Sequence, residues 1–547
     1  MTIKILRGGG SVPLVVFGAP LLPIMAAMLG DPDRPSVHPL EGAGSRRAAV
    51  GLGIAGVSAG VTVLFAQLRE RRVDRTALVV DVLGGGDFDD LETAIASVAE
   101  DTTIHVRAGR FVIERGNMSP AAGVHVVGEG YATHVILRPG TSQNVFRCEA
   151  PHVVLDNLRI DGDGTRQEFA SGNCVMFSEG AHGSAVIDCD VEAASGYNIV
   201  AFPGCREVII AGNSSSDALE VGIELQGASS CTVAGNVVRN ARQNGILLWG
   251  STGDCAFNTV TANTVVGCRE FGVLVQDGAH DNTIAGNTIT DSRGFGVIVD
   301  DTTVSGRAAR GTTNPYRATE SRDCFGTVIQ GNVIVRSGRD GIRLNGATRC
   351  SVAGNIVRQS GDNGINVATA RGCVLQGNVV TGNGGDGIVL DGPGSACTAN
   401  VVYSNGRAAR EERGAAGIVL GESGDGSVIV ANRCFAGSEG EQDSGILTMG
   451  DTGEAMLVAN VLLGNRRTPV SQPDEESDRL HICPHRRIVV EISGRTTRVV
   501  HGLGYSPRSV TIVAHQRASV WQARPSDREA VYLQTDGEHA VAEILIA

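Results

Sequence analysis

Cys350-SVAGNIVRQSGDNGINV-Ala368 and Cys373-VLQGNVVTGNGGDGIVL-Asp391 are two copies of one pattern. Each reads Cys, a short β-rich run, Gly-Asn, two or three β-branched residues, a polar turn, then Gly-Ile-x-(Leu/Val). Working outward, the same asparagine recurs as Asn213, Asn236, Asn263, Asn287, Asn332, Asn355, Asn378, Asn400, Asn432 and Asn460. The steps are 23, 27, 24, 45, 23, 23, 22, 32 and 28 residues, so one is nearly doubled and the rest lie close to 23 or above it. A fixed period of this size means stacked units that bury their apolar faces only against their neighbours, a solenoid.

The residues between the markers decide which solenoid. A helical repeat needs a run of roughly 10 residues with apolar positions at 3.6 spacing, and no repeat contains one. Runs of three to five residues such as NVV, NTI, GIVL and GVIV, separated by Gly, Asn, Ser and Asp, are short strands joined by tight turns. A mostly extended turn of the chain that closes on itself and bonds to the next at about 4.8 Å is a right-handed parallel β-helix. The fold class expected is therefore all-β.

These repeats resemble those of the pectate-lyase-like β-helix superfamily, especially its branch of mannuronan C5-epimerases and copper-site maturation proteins. The upstream segments DDLETAIASVAEDTTIHVRAGRFVI and VHVVGEGYATHVILRPG are similar to the cap and first coils of the same families, so the resemblance covers roughly residues 77–465. It implies the fold and, for the epimerase branch, a Tyr-Gly-x-Asp-Pro-His-acid motif. The nearest stretch, 196–204 (GYNIVAFPG), keeps Tyr197 and Pro203 but lacks the aspartate, histidine and acid, so the epimerase roles do not carry over.

A net charge of −13 argues against a nucleic-acid partner, which wants a basic stripe. Seven of the 13 cysteines, Cys205, Cys231, Cys255, Cys324, Cys350, Cys373 and Cys397, keep step with the repeat. They read as small buried side chains stacked coil on coil rather than as a disulfide framework. The asparagines read as an amide ladder that satisfies turn backbone.

Outside the repeats, residues 1–76 read as an export or membrane-anchor segment and linker. Ser45-Arg46-Arg47 precedes an uncharged run, 48–66, like a twin-arginine signal. Arg69, Arg71, Arg72 and Arg75 after the run suit an anchor instead. Residues 87–99 form an amphipathic helix with Leu91, Ala94, Ile95 and Val98 on one face and Asp87 near its start, expected to cap the solenoid. Insertions fall at 302–323 and 406–415. Residues 466–483 read as a linker, and six short β-rich runs in 484–547 as a small antiparallel β-sandwich. The segment 498–512 resembles modules of extracellular β-helix and virus-fibre proteins that trimerise or bind surfaces, which implies a homotrimer.

In Gly-Ile-x-Leu-x the two x positions face outward. The first outward column reads Glu224, Leu247, Leu274, Ile298, Arg343, Asn366, Val389, and the second Gln226, Trp249, Gln276, Asp300, Asn345, Ala368, Asp391. Polar groups concentrate between the Glu224 and Arg343 coils. Trp249 is read as a stacking surface for a sugar, with Glu224, Gln226, Gln276 and Asn345 as hydroxyl-binding groups. Asp277, Asp300 and Asp301 are the carboxylates for acid and base work or for a cation such as Ca2+ on a uronate substrate. Arg343 is a catalytic candidate, either holding a sugar carboxylate or assisting abstraction at C5. The bland alternative is a solvated strand face with incidental charges. His481, Cys483 and His485, with His501 or His515, have the composition of a metal site, but incidental strand residues explain them better, and no metal is assigned.

The function expected is an exported or surface-held protein, extracellular in location, that binds an acidic polysaccharide and cleaves or epimerises it. The rival is a non-enzymatic fibre or adhesin whose C-terminal module performs the recognition.

Overall fold

Asparagine 332 and its counterparts build the spine of the molecule. In the computed structural model, the backbone N–H and Nδ2 of each of the nine asparagines from Asn213 to Asn432 reach the next one's Oδ1, ending at Asn460, all at 2.9–3.0 Å. Each Nδ2 also donates backward to a backbone carbonyl, Asn355 for example to Ile329 O at 2.9 Å. Every amide is thus satisfied in a setting where an unmet buried donor costs about 1–3 kcal/mol. The 45-residue step is one rung like the others. Asn287 bonds straight to Asn332, and Thr283 pairs with Val328, so the insertion leaves the coil without adding one.

The structure describes residues 77–167, 172–250, 253–301, 323–407, 414–437, 442–449, 455–462 and 464–466, and beyond these a set of strands ending at residue 546. The expected export or anchor segment and the 302–322 part of the insertion lie outside the described residues. No helix among those described is long and apolar enough to cross a membrane.

Each coil contributes three strands to three parallel ladders. In one repeat these are Ser351–Ala353, Ile356–Arg358 and Ile365–Ala368, which pair in register with Val374–Gln376, Val379–Thr381 and Ile388–Asp391 of the next. The third ladder is a sheet of 13 strands. Inside the coil, Val352, Val357, Ile365 and Val367 are fully buried, as are Leu375, Val380, Ile388 and Leu390 one rung on. Each such side chain stabilises the stack by about 1.5–3 kcal/mol. The glycine before the third strand is required by packing: a Cβ at Gly364 or Gly387 would collide with Val380 or Val402 of the neighbouring coil. The chain is a right-handed parallel β-helix, as the period implies. Its cysteines are buried and free, 12 of them among the described residues.

Three boundaries differ from the sequence reading. The helix is Leu91–Ser97, with Asp90 as its N-cap accepting from Glu92 N and Thr93 N. Asp87 instead accepts from Val79 N in the preceding turn. The helix still buries Leu91, Ala94 and Ile95 in the solenoid core, and Glu92 accepts three backbone N–H groups from 114–116. The stretch read as a linker also carries two ladder strands: Thr468–Ser471 pairs with Gln442–Thr448, and His481–Cys483 with Met456–Val458. Coil stacking therefore continues past 465, because backbone pairing persists after the side-chain repeat has faded. The C-terminal runs form two three-stranded antiparallel sheets, Arg486–Ser493, His539–Ile546 and Val510–Ala514 in one and Thr497–Val500, Ala530–Thr535 and Val520–Arg524 in the other.

Candidate functional site

The outward columns of the third ladder align rung by rung as the repeat spacing implies. Glu224, Leu247, Leu274, Ile298, Arg343, Asn366 and Val389 are successive register partners, and so are Gln226, Trp249, Gln276, Asp300, Asn345, Ala368 and Asp391. Their exposure differs from expectation. Glu224 is completely buried, Gln226 nearly so, and Trp249 is 9% exposed. Leu247, Leu274 and Ile298 pack with Trp249, Val221 and Phe295 into a second apolar cluster on the outer side of the sheet, with Tyr197 and Phe271 against it. The turns before each third strand supply Tyr197, Val221, Phe271 and Phe295 as the cover. Trp249 is therefore a packing residue whose Nε1 donates to Asp277 Oδ2 at 2.6 Å, not an open sugar platform.

Glu224 has no hydrogen-bond partner on either carboxylate oxygen. Burial, and then the charge of Glu220, push its carboxyl up to about 8. Tyr197 hydrogen-bonds Glu220, and its hydroxyl is pushed up by burial and by both glutamates.

Asp300 sits where the apolar half ends. It accepts a hydrogen bond from Asn345 Nδ2 on the next rung. Burial raises its carboxyl, the Asn345 bond opposes that, Asp277 raises it further, Arg343 opposes, and Asp301 raises it again. The structure thus brings Asp277, Asp300, Asp301, Asn345 and Arg343 into one neighbourhood, with Gln276 half-buried beside them. Carboxylates in unlike environments, one of them raised by burial, are the arrangement that splits acid and base roles. Arg343 is anchored rather than free: NH1 donates to Asp340 Oδ2 at 3.0 Å and the guanidinium lies over the Phe295 ring, 5.4 Å from its centroid.

Beyond Arg343 the face opens into a groove of about 650 Å³ lined by Asp340, Arg343, Asp362, Asn366, Asp386 and Asp391 among others. Asp340 organises one wall, accepting from Asn363 N and Nδ2 through Oδ1 and from Arg343 and Asn366 through Oδ2. The sequence reading passed over Asp340, Asp362 and Asp386. The signal was present in Asp340-Gly341-Ile342, Asn363-Gly364-Ile365 and Asp386-Gly387-Ile388, three successive coils in which the residue before the repeated Gly-Ile is polar.

A right-handed parallel β-helix with an acid-rich outer face is the class of protein that fold and site define. Residues 156–309 and 309–478 match the family described as periplasmic copper-binding protein (NosD), and the chain belongs to that family. No curated protein matches it. Among solved structures it is similar to the pre-mature gene product 12 of bacteriophage phi29, with TM-score 0.54 and 13% identity over 70% of this chain and 54% of that one. It is similar to the tailspike gp61 of Pseudomonas phage phi297, with TM-score 0.51 and 10% identity over 83% and 91%. The A-module of the Azotobacter vinelandii mannuronan C-5 epimerase AlgE4 matches at TM-score 0.45 and 15% identity over 71% and 93%. The likenesses to the two phage proteins show the fold.

The described residues do not fit the copper that the family description names. Copper takes thiolate, thioether and imidazole ligands, but the cysteines are core residues, and burial pushes the Cys231 thiol up to about 11 and the Cys397 thiol to about 12. Among the described residues the group with metal-ligand spacing is His134, Asp161 and Glu192. Arg159 Nε donates to Glu192 at 2.6 Å, placing a fixed positive charge beside these ligands. Asp277, Asp300 and Asp301 do not form such a group, and the side chains of His481, Cys483 and His485 lie outside those described.

Proposed function

We propose that the chain is an exported β-helix protein that binds a polysaccharide lengthwise along the third ladder and processes it at the Asp277, Asp300 and Asp301 cluster. One observation carries the reading: three carboxylates from two adjacent rungs meet beside an anchored arginine, and one of them is raised by burial. In this reading Asp300 is the proton donor, Asp277 or Asp301 the base, and Arg343 the contact for a carboxylate of an acidic glycan. Membership of a family of periplasmic proteins supports export.

The test is product release from alginate, pectate and glycosaminoglycan by the unmodified chain and by Asp300→Ala with Arg343→Ala. Turnover of one glycan is expected, falling at least about 100-fold in the double variant with thermal stability retained. No product from any glycan, or equal turnover by the variant, overturns the assignment.

The burial of Gln226 and Trp249 favours a second reading, in which the solenoid is a rigid spacer and the C-terminal module binds and trimerises. A trimer by light scattering together with an inactive panel supports that one.

A further inference from the structure

Asparagine plus six is a column of its own. In three successive coils it reads Arg242, Arg269 and Arg293, while the flanking coils have Leu219 and Gly338 there. The turn backbones stack, with Arg242 N bonding Ala218 O, Arg269 N bonding Ala241 O and Arg293 N bonding Cys268 O, so the arginines occupy adjacent rungs about 5 Å apart. All three are exposed, and none forms an ion pair or side-chain hydrogen bond among the described residues.

They line a groove of about 420 Å³ with Thr165, Asp217 and Asn240. Its floor at Gly267 carries no side chain, and a Cβ there would lie 3.1 Å from Asn240 Oδ1. Two nearby acids already have partners, while Glu270, next to Arg269, is exposed. Asp291 pairs with both Nε and NH2 of Arg336 at 2.7 and 2.8 Å, and Asp217 accepts from Asn240 Nδ2 at 3.1 Å. Three stacked like charges repel unless something neutralises them, and they stand out on a chain whose net charge is −13.

We infer that this groove is a binding site for an anionic glycan, a polymer whose carboxylates recur along its length and engage one arginine per rung. A linear polyuronate matches a row of donors better than a single compact anion, because a guanidinium takes one carboxylate through two parallel N–H bonds. The groove lies in the turn leading into the third ladder, over the same coils as Glu224, Leu247, Leu274 and Ile298. It holds a chain over these coils without supplying chemistry, so the inference stands whether or not Asp300 catalyses anything.

The experiment is calorimetric binding of a long oligogalacturonate to the full chain, across a salt series, for the unmodified protein and for Arg242→Gln, Arg269→Gln and Arg293→Gln singly and together. A maltodextrin of equal length, inorganic phosphate and single-stranded DNA of matched charge serve as the other ligands. Each single variant is expected to weaken oligogalacturonate binding about 2–5-fold and the triple variant at least about 10-fold, with an unchanged melting temperature and a flatter salt dependence. Unchanged affinity in the triple variant overturns the site. Maltodextrin binding as tightly as oligogalacturonate overturns the role of charge, and DNA or phosphate binding as tightly overturns the assignment to a glycan. Because binding is read directly, failure here is distinct from loss of turnover in the Asp300 variants.

Discussion

The third ladder has two halves that share backbone register and differ in what they show to the outside. From Leu247 to Ile298 the outer column is apolar and covered by Val221, Phe271 and Phe295, with the buried Glu224 one rung before it. From Arg343 to Val389 it is half-exposed and edged by Asp340, Asn363 and Asp386. Inside, the two halves are alike, with Ile246, Leu248, Ile365 and Val367 equally buried. The coil is thus specified by its inner side chains and its asparagine, and the outer positions vary without disturbing the stack. The change falls at the rung where the long insertion leaves, so cover and open groove meet at Asp300.

The largest effect should come from putting a charge into each half. Leu274→Asp buries an unpaired carboxylate in the apolar cluster and is expected to cost about 3–5 kcal/mol. Val389→Asp, on the half-exposed side, is expected to cost under about 1.5 kcal/mol. Thermal or urea unfolding of the two variants compares them directly. Equal losses would mean that the two halves are equally sealed.

The buried carboxyl of Glu224 gives a pH signature confined to the apolar half. Its folded value, about 8, lies above the ordinary 4.5, so the folded state holds a proton that the unfolded chain has released. Stability from this group is full below about 4.5 and falls as pH rises toward 8. Glu224→Gln keeps the shape and removes the titration. It is expected to leave stability near pH 5 almost unchanged and to raise it at pH 8 by about 1–3 kcal/mol. A slope between pH 5 and 8 that survives the substitution would assign it to other groups.

The inner architecture was legible because each ladder contact repeats. Asn332, Asn355 and Asn378 announce the rung by their spacing, and even the 45-residue step resolves once Asn287 is seen to reach Asn332. The outer columns were legible in order but not in exposure. Nothing in Glu224 or Trp249 as letters says that Val221 and Phe295, two positions before their own strands, fold back over the sheet. Helix length was overread because Asp90, not Asp87, supplies the cap, and an N-cap is a matter of backbone geometry three residues wide. The arginine column was as periodic as the asparagines but lies in a turn, where a strand-centred reading of inward and outward faces does not look.

The smallest effect separates positioning from packing in the open half. Asn366 Nδ2 donates to Asp340 Oδ2 at 3.1 Å, the same oxygen that takes Arg343 NH1 at 3.0 Å, while Oδ1 holds Asn363. Asn366→Ala removes one of four bonds to a carboxylate that keeps three, and the site borders the groove, where water can replace the lost donor. The expected cost is about 0.5–1.5 kcal/mol by unfolding. If Asp340 fixes Arg343 on its own, glycan binding and turnover change less than twofold. A loss as large as that of Arg343→Ala would instead make the Asn366 amide part of what holds the guanidinium over Phe295, and the open half would be as tightly determined as the covered one.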